Sequence, residues 1–389
     1  MYGVNFSAPY LLFVGLYVVL ALVERQIAPN SRWQNYIQAG CIALYLLFIG
    51  LRGYIGTDWY SYRLIFERVP TLFSGGWGDF WAENLLEPGF VCFVSAAKTL
   101  WNDYHFFVFL NACADAVILH LFLKRYANGG YALGFLVFLV MGGLTLSDLL
   151  RNVRSIGFFL LSLPFLTARR PVPYFGLNGL GMCFHITSIL YLPLYWFLHR
   201  RWPKWIFIAV FIAGNAIFLL RIEFIRPLIE RLAEGLGGRF AHLQAQYLLN
   251  ELFDERYRIS LGYIERIVTS LLVLGFYRKL LRERVTNVFF VNAYVLYFAS
   301  FFFLSEIREF AARFSLLFAF SYWELVPALY RTMQVRFNRG LFLTAICLYA
   351  FLKTAGLTGN LLYRYDNLLW GIESYNRRVE EFERFYLNR

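Results

Sequence analysis

Apolar stretches of roughly 17 to 20 residues recur along the whole of this 389-residue chain, long enough for a helix to cross a bilayer core. They lie near residues 7–24, 35–51, 105–123, 131–148, 152–168, 204–220, 262–277, 286–304, 312–330 and 340–356. Only 16% of residues are charged while 59% are hydrophobic, where an ordinary soluble chain carries about a quarter charged. A secreted enzyme, a nucleic-acid-binding domain and a disulfide scaffold are excluded. Period-two alternation is absent over the long runs, which argues against a β-barrel. The fold class is all-α: a polytopic integral membrane protein of about 10–12 transmembrane helices plus re-entrant or interfacial helices.

The 37 Lys and Arg against 25 Asp and Glu give a net charge of +12, read here as topology and not as a polyanion site. Basic residues collect at Arg25 and Arg32, Lys124 and Arg125, Arg169 and Arg170, Arg200, Arg201 and Lys204, and in 278–284 and 331–339. Placing those loops in the cytoplasm leaves 52–86, 221–261 and the tail 357–389 near charge balance on the outer face. That parity forces 88–101 to be re-entrant or interfacial. It also makes 173–198 a hairpin of two half-helices, each of roughly 12 residues and too short to span, with His185 at its tip. Broken helices at membrane depth occur where they are buried in protein or line a cavity. No signal peptide is expected, since 10–23 lacks a basic flank and a cleavage site. The five cysteines, singly placed, read as small buried hydrophobes. No repeat or linker divides the chain, so residues 1–389 form one membrane domain, its outer loops rich in interfacial aromatics such as Trp59, Tyr60 and Trp77.

Several polar groups stand out against this background. Arg52, Gly56, Thr57, Asp58 and Tyr62 sit where the second span leaves the membrane; Asp58 suits a base for a sugar hydroxyl, although glycine turns and an aromatic belt explain the same composition. Arg151 and Arg154 open an apolar helix. An arginine at membrane depth costs about 2.5–3.5 kcal/mol on insertion scales, so it needs a partner or an aqueous cavity. Snorkelling can satisfy Arg151, and less easily Arg154 one turn deeper. His185 is either a hydrogen-bonded core residue or a base near neutral pH. Arg313 repeats the situation of Arg154, with Glu306 and Glu309 close enough in sequence for a salt bridge. The loop 221–260 carries six arginines, at 221, 226, 231, 239, 256 and 258, against six acids. Guanidinium forks of that density suit phosphate, and an ion-paired amphipathic helix pair is the structural alternative. HExxH, the P-loop, GxSxG and DxD are all absent, so metalloprotease, ATPase, serine hydrolase and metal-dependent nucleotide-sugar transferase readings have no motif.

The run Arg52-Gly-Tyr-Ile-Gly-Thr-Asp-Trp-Tyr-Ser-Tyr-Arg-Leu-Ile-Phe resembles the R-x-x-x-G-T-D-x-x-x-Y-x-x-x-F signature of the EpsG-like, Wzy-type polysaccharide polymerases. Glu87-Pro-Gly-Phe, Asn152-Val-Arg154-Ser, Phe184-His185-x-Thr-Ser and Ala-Arg313-Phe-Ser follow in the family's order, covering roughly residues 50–320. Ser155 stands where the family pattern has glutamine. The resemblance implies a GT-C-like, inner-membrane glycosyltransferase that joins oligosaccharide repeat units carried on undecaprenyl pyrophosphate at the outer face. Chain-length and flippase partners follow from it, and no cofactor and no nucleic acid. It assigns Asp58 as base, with His185 second and Glu87 orienting Arg52 or a sugar. It assigns Arg154 and Arg313 to pyrophosphate with Arg52 and Arg239 as helpers, and Tyr62 and Arg151 to substrate. Without a DxD the arginines would do the work of a metal cation.

Three other readings compete. A polyprenyl-phosphate-sugar-dependent single-sugar transferase needs the same base and cations. A lipid-linked oligosaccharide flippase would spread basic residues through a central cavity and show inverted repeats, which are not visible. A membrane acyltransferase would use His185 but lacks its paired acid.

Overall fold

The structure, a computed structural model, describes residues 3–28, 31–236 and 257–387. Helix makes up 76% of it and no strand occurs among the described residues, so the chain is all-α. The helices are α1 (Val4–Glu24), α2 (Arg32–Tyr45), α3 (Trp59–Arg68), α4 (Trp77–Glu83), α5 (Pro88–Leu100), α6 (Tyr104–Tyr126), α7 (Tyr131–Leu146), α8 (Leu150–Thr167), α9 (Pro171–Met182), α10 (Lys204–Leu219), α11 (Ile225–Leu236), α12 (Leu261–Glu283), α13 (Asn287–Phe303), α14 (Arg308–Leu316), α15 (Phe320–Thr332), α16 (Arg336–Thr358) and α17 (Tyr375–Leu387).

Three of these are long and apolar enough to cross a membrane: Asn5–Glu24 within α1, then α6 and α16. Five more apolar helical segments, α5, α7, Ile186–Phe197, α10 and α13, are shorter. The difference from ten or more continuous spans has local causes. The run 35–51 is divided between α2 and a π turn at Leu46–Gly50. Helix α8 carries Arg151 and Arg154, and α12 carries Glu265 and Arg266 near its start. Contacts separate the chain into two compact units, residues 1–195 with 335–389, and residues 196–334.

In the first unit, helix ends are satisfied by side chains from distant helices. Glu24, at the end of α1, accepts from the backbone N–H groups of Tyr131 (3.0 Å) and Ala132 (2.9 Å), placing a carboxylate on the positive N-terminus of α7. Asp103 caps α6 by accepting from Phe106 N–H at 2.8 Å. Helix α9 has 12 residues, about 18 Å, and turns at residues 183–185 into a 3-10 helix at Ile186–Tyr191. The two arms are tied by Tyr174, whose hydroxyl donates to the Tyr191 carbonyl at 2.6 Å.

The tail after α16 folds back as part of this unit. Tyr365 donates to the Phe48 carbonyl (2.8 Å), and Asn367 donates to that of Leu47 (2.8 Å) and pairs with Arg52 in an isolated bridge. Its charges are matched internally: Arg378 meets Asp366 at 3.0 Å, and Arg364 meets Glu373 at 3.1 Å. Phe382 of α17 stacks on Tyr60 with centroids 5.3 Å apart.

The second unit packs α10, α12, α13 and α15 around phenylalanines, with Phe298, Phe301 and Phe302 buried. Gly214 permits the approach of α10, since a Cβ there would lie 3.0 Å from Phe298 and Phe302. Arg331 closes one end by pairing with Glu283 (2.5 Å) and Glu324 (2.6 Å).

Candidate active site

Two π turns deliver the segments of the site. One, Leu46–Gly50, leads into Arg52; the other, Leu139–Gly143 within α7, leads into Ser147 and Asp148. Such turns shift a helix's register locally and are frequent at functional sites.

The two segments clasp each other reciprocally. Arg52 is buried and donates to the Ile49 carbonyl at 3.0 Å and to the Ser147 carbonyl, so one guanidinium covers the C-terminal ends of both kinked helices. In return Asp148 reaches the start of α3. It accepts from the backbone N–H groups of Thr57 (2.6 Å) and Asp58 (3.1 Å) and from the Thr57 hydroxyl (2.9 Å). Gly56 is required here: its φ is +96°, and a Cβ would fall 2.5 Å from the Asp148 carboxylate. The tail backs the same turn, with Gly53 N–H donating to Asp366 (3.1 Å) and Gly56 N–H to Leu362 (3.0 Å).

Asp58 and Asp148 face each other through Thr57, whose hydroxyl also lies 3.2 Å from Asp58 Oδ1. One hydroxyl proton cannot serve two carboxylates, so the arrangement favours one shared proton. Asp148 lies in the turn between α7 and α8; burial and then the Asp58 charge push its carboxyl up to about 6, against hydrogen bonds from Thr57 and the Arg52 guanidinium.

One turn further on, Arg151 forms an ion pair with Glu87 at 2.8 Å and its backbone N–H donates to the Tyr62 hydroxyl at 3.4 Å. Burial pushes Tyr62 up to about 12, so it stays a neutral phenol at physiological pH. Glu87 therefore orients Arg151, where the sequence suggested Arg52 or a sugar. Glu87 precedes Pro88, at the first position of α5, and Gly89, whose missing Cβ lets the tip of the α9 hairpin approach: Gly89 N–H donates to the Cys183 carbonyl at 2.8 Å. At that tip His185 Nδ1 lies 2.8 Å from the Thr187 hydroxyl and accepts from Thr187 N–H at 3.2 Å, capping the 3-10 helix. Arg154, buried one turn below Arg151, meets Asp115 of α6 at 3.2 Å and donates to Asn111 Oδ1 at 3.2 Å.

Arg52, Asp58, Tyr62, Glu87 and Arg151 thus lie along one cluster of contacts in the first unit, with His185 beside it through the Gly89–Cys183 backbone bond and Arg154 one turn below, paired to α6. Arg313 belongs to the second unit, where it is half exposed and pairs with Glu309 one turn away at 3.3 Å. Arg239 lies outside the described residues. Sequence reading missed Asp115 and Asp148. Each is the one acid in its apolar run, 105–123 and 131–168, which is the signal that could have found it. Among the described residues no group of three or more His, Cys, Asp or Glu is placed to hold a metal ion.

The signature run 52–66 is thus a turn leading into α3 with Asp58 at its apex and Asp148 clasped onto it, and the EpsG family model matches residues 35–365, most of the chain. The chain belongs to the EpsG family. No curated protein and no solved structure matches it. Membership supports a glycosyltransferase-like, polysaccharide-polymerase-like role, and with the apolar helices it supports a membrane protein acting on a lipid-linked substrate. The tail from Asp366 onward, which backs the EpsG signature turn, lies beyond the matched residues.

Proposed function

We propose that this EpsG-family chain polymerises undecaprenyl-pyrophosphate-linked oligosaccharide repeat units into surface polysaccharide, at the outer face of the bacterial inner membrane. The observation that carries the reading is the placement of Asp58, half-buried at the start of α3 and opposite Asp148, one turn of chain before Tyr62, which accepts from the backbone of the Glu87-paired Arg151.

In the proposed reaction an acceptor hydroxyl attacks the anomeric carbon of the growing chain. Its proton passes to Asp58, and the bond to undecaprenyl pyrophosphate breaks with the electron pair leaving on the pyrophosphate. Thr57 and Asp148 fix the position of Asp58. Arg151 is only partly covered and already aimed by Glu87, so it is the cation in this network best placed to meet a leaving phosphate oxygen. Arg154 is matched by Asp115 and serves chiefly to hold α8 against α6. His185 is the second candidate base, and Arg52 supports the turn. Arg313 stays a candidate pyrophosphate ligand because its i,i+4 ion pair is half exposed and exchanges at little cost. A chain-length regulator and a flippase are the partners such an enzyme would need.

Product size tests the reading. Purified protein in detergent, given a lipid-pyrophosphate-linked repeat unit, is expected to form a ladder spaced by whole units. Addition of one sugar from a polyprenyl-phosphate donor would replace the reading with a single-sugar transferase, and no covalent product would replace it with lipid transport.

A further inference from the structure

Two pairs of backbone amides fix the turn that carries Asp58. Thr57 and Asp58 donate to the Asp148 carboxylate, whereas Gly53 and Gly56 donate to carbonyls of the tail, those of Asp366 (3.1 Å) and Leu362 (3.0 Å). Both glycines are buried, so their N–H groups need an acceptor from the protein. The tail approaches as a short antiparallel bridge, with Leu368 N–H donating to the Leu51 carbonyl at 2.9 Å. Gly53 admits it, because a Cβ there would overlap the Asp366 carboxylate.

No helix holds this part of the tail: after the 3-10 turn Leu361–Tyr363 the chain runs irregularly to Tyr375. Side chains set its position instead, and Arg378 of α17 is their centre. Its guanidinium, 3% exposed, meets the Asp366 carboxylate at 3.0 Å and Glu381 at 3.1 Å, and donates to the Arg364 carbonyl at 2.6 Å. Asp366 also accepts from the Glu373 N–H at 2.9 Å, and Arg364 pairs with Glu373 at 3.1 Å and with Glu381. One arginine thus closes the tail into a ring, and the residue it grips is the one whose carbonyl holds Gly53.

The aromatic residues of α17 press on the same turn. Tyr375 meets the rings of Tyr54 (5.7 Å) and Trp59 (6.1 Å) edge-on, and Phe382 meets Trp59 at 5.7 Å and stacks on Tyr60. Asp58 is therefore flanked on both sides by residues the tail holds, Gly53 and Gly56 through backbone and Trp59 and Tyr60 through rings.

We propose that Arg378 is a positioning residue: it locks the tail onto the signature turn and so sets where the Asp58 carboxylate points. It acts through Asp366 and Gly53, not on substrate, and both Arg378 and Asp366 lie beyond the residues matched by the family model. Its effect on rate rests on the reading of Asp58 as the base of a polymerase; the lock itself does not.

Hydrogen exchange of the segment 53–58 in the full chain in detergent tests the lock without any substrate. Arg378→Gln is expected to speed exchange there about tenfold or more while α6 and α12 exchange as in the wild type. Arg378→Lys keeps the charge but not the fork and is expected to fall between. Phe382→Ala, which touches no charge, is expected to give a smaller rise in the same segment, and Arg377→Gln, an exposed pair with Glu373 at 3.4 Å, to give none. Unchanged exchange at 53–58 in both Arg378→Gln and Phe382→Ala would overturn the lock. In ladder formation Arg378→Gln is expected to lower kcat about tenfold or more with KM unchanged. Combined with Asp58→Asn it is expected to lower the rate no further than Asp58→Asn alone. A full additional loss in the double variant would overturn action through Asp58. A wild type that forms no ladder would remove the polymerase reading and leave the exchange result to decide the lock.

Discussion

The Arg52–Asp148 clasp of the first unit and a cavity in the second differ in how closely their walls are packed. In the clasp every charge is engaged inside the protein: Arg52 on two carbonyls, Asp148 on two backbone N–H groups, Arg154 on Asp115. A void beside it is about 10 Å³, room for one water at most. The cavity of the second unit is some 740 Å³, and Glu306 of its lining is turned onto the start of α11. The clasp therefore builds geometry precise enough to aim one carboxylate, while the second unit leaves open space where its helix ends meet. A motif made of arginine and aspartate is thus no guarantee that either touches substrate.

Breaking the deepest pair should have the largest effect. Arg154→Ala leaves Asp115 buried and unmatched, and is expected to cost about 3–5 kcal/mol in reversible unfolding. Arg154→Met with Asp115→Leu is expected to recover most of that loss, separating a structural arginine from a ligand-binding one.

The next effect is pH. Asp148 holds its proton to about 6 in the folded chain against 3.8 for an ordinary aspartate. Between those values the folded state carries the extra proton, so stability is expected to fall as pH rises from about 4 through 6 and then to level off, by on the order of 3 kcal/mol. Unfolding midpoints measured across that range check it, and Asp148→Asn should flatten the slope.

Gly56→Ala probes the clasp by sterics alone. A Cβ at 2.5 Å from the Asp148 carboxylate, at φ +96°, is expected to cost about 1–3 kcal/mol and to displace Asp58 enough to lower the rate of ladder formation. At the other extreme, Arg313→Gln removes an exposed i,i+4 pair and should change stability by less than about 0.5 kcal/mol. A fall in ladder formation in that folded variant would mark Arg313 as a ligand contact.

These contrasts also say what the sequence could reveal. The all-α membrane class follows from the apolar runs, and the turn at Gly56-Thr57-Asp58 was legible because its residues are adjacent. Its other half was not. Asp148 lies 91 residues from Thr57 and Asp115 lies on a different helix from Arg154, so only the physical demand that a buried charge be matched pointed at them. The charge balance of the tail was legible but not its fold-back, because ion pairs such as Arg378 with Asp366 follow a spacing that no local pattern encodes. Arg221 and Arg258 were visible only as two of six arginines in one loop, since what converges on them depends on four helix ends meeting.

Asp58 is the point on which the account turns, and Asp58→Asn tests it most directly. The variant keeps the backbone N–H that Asp148 accepts from and removes the charge facing Asp148, so it should fold with an unfolding midpoint equal to or above that of the wild type. The account predicts that the folded variant forms repeat-unit ladders about 10²–10⁴-fold more slowly than wild type, the range for loss of a general base. Ladders formed at the wild-type rate would contradict it.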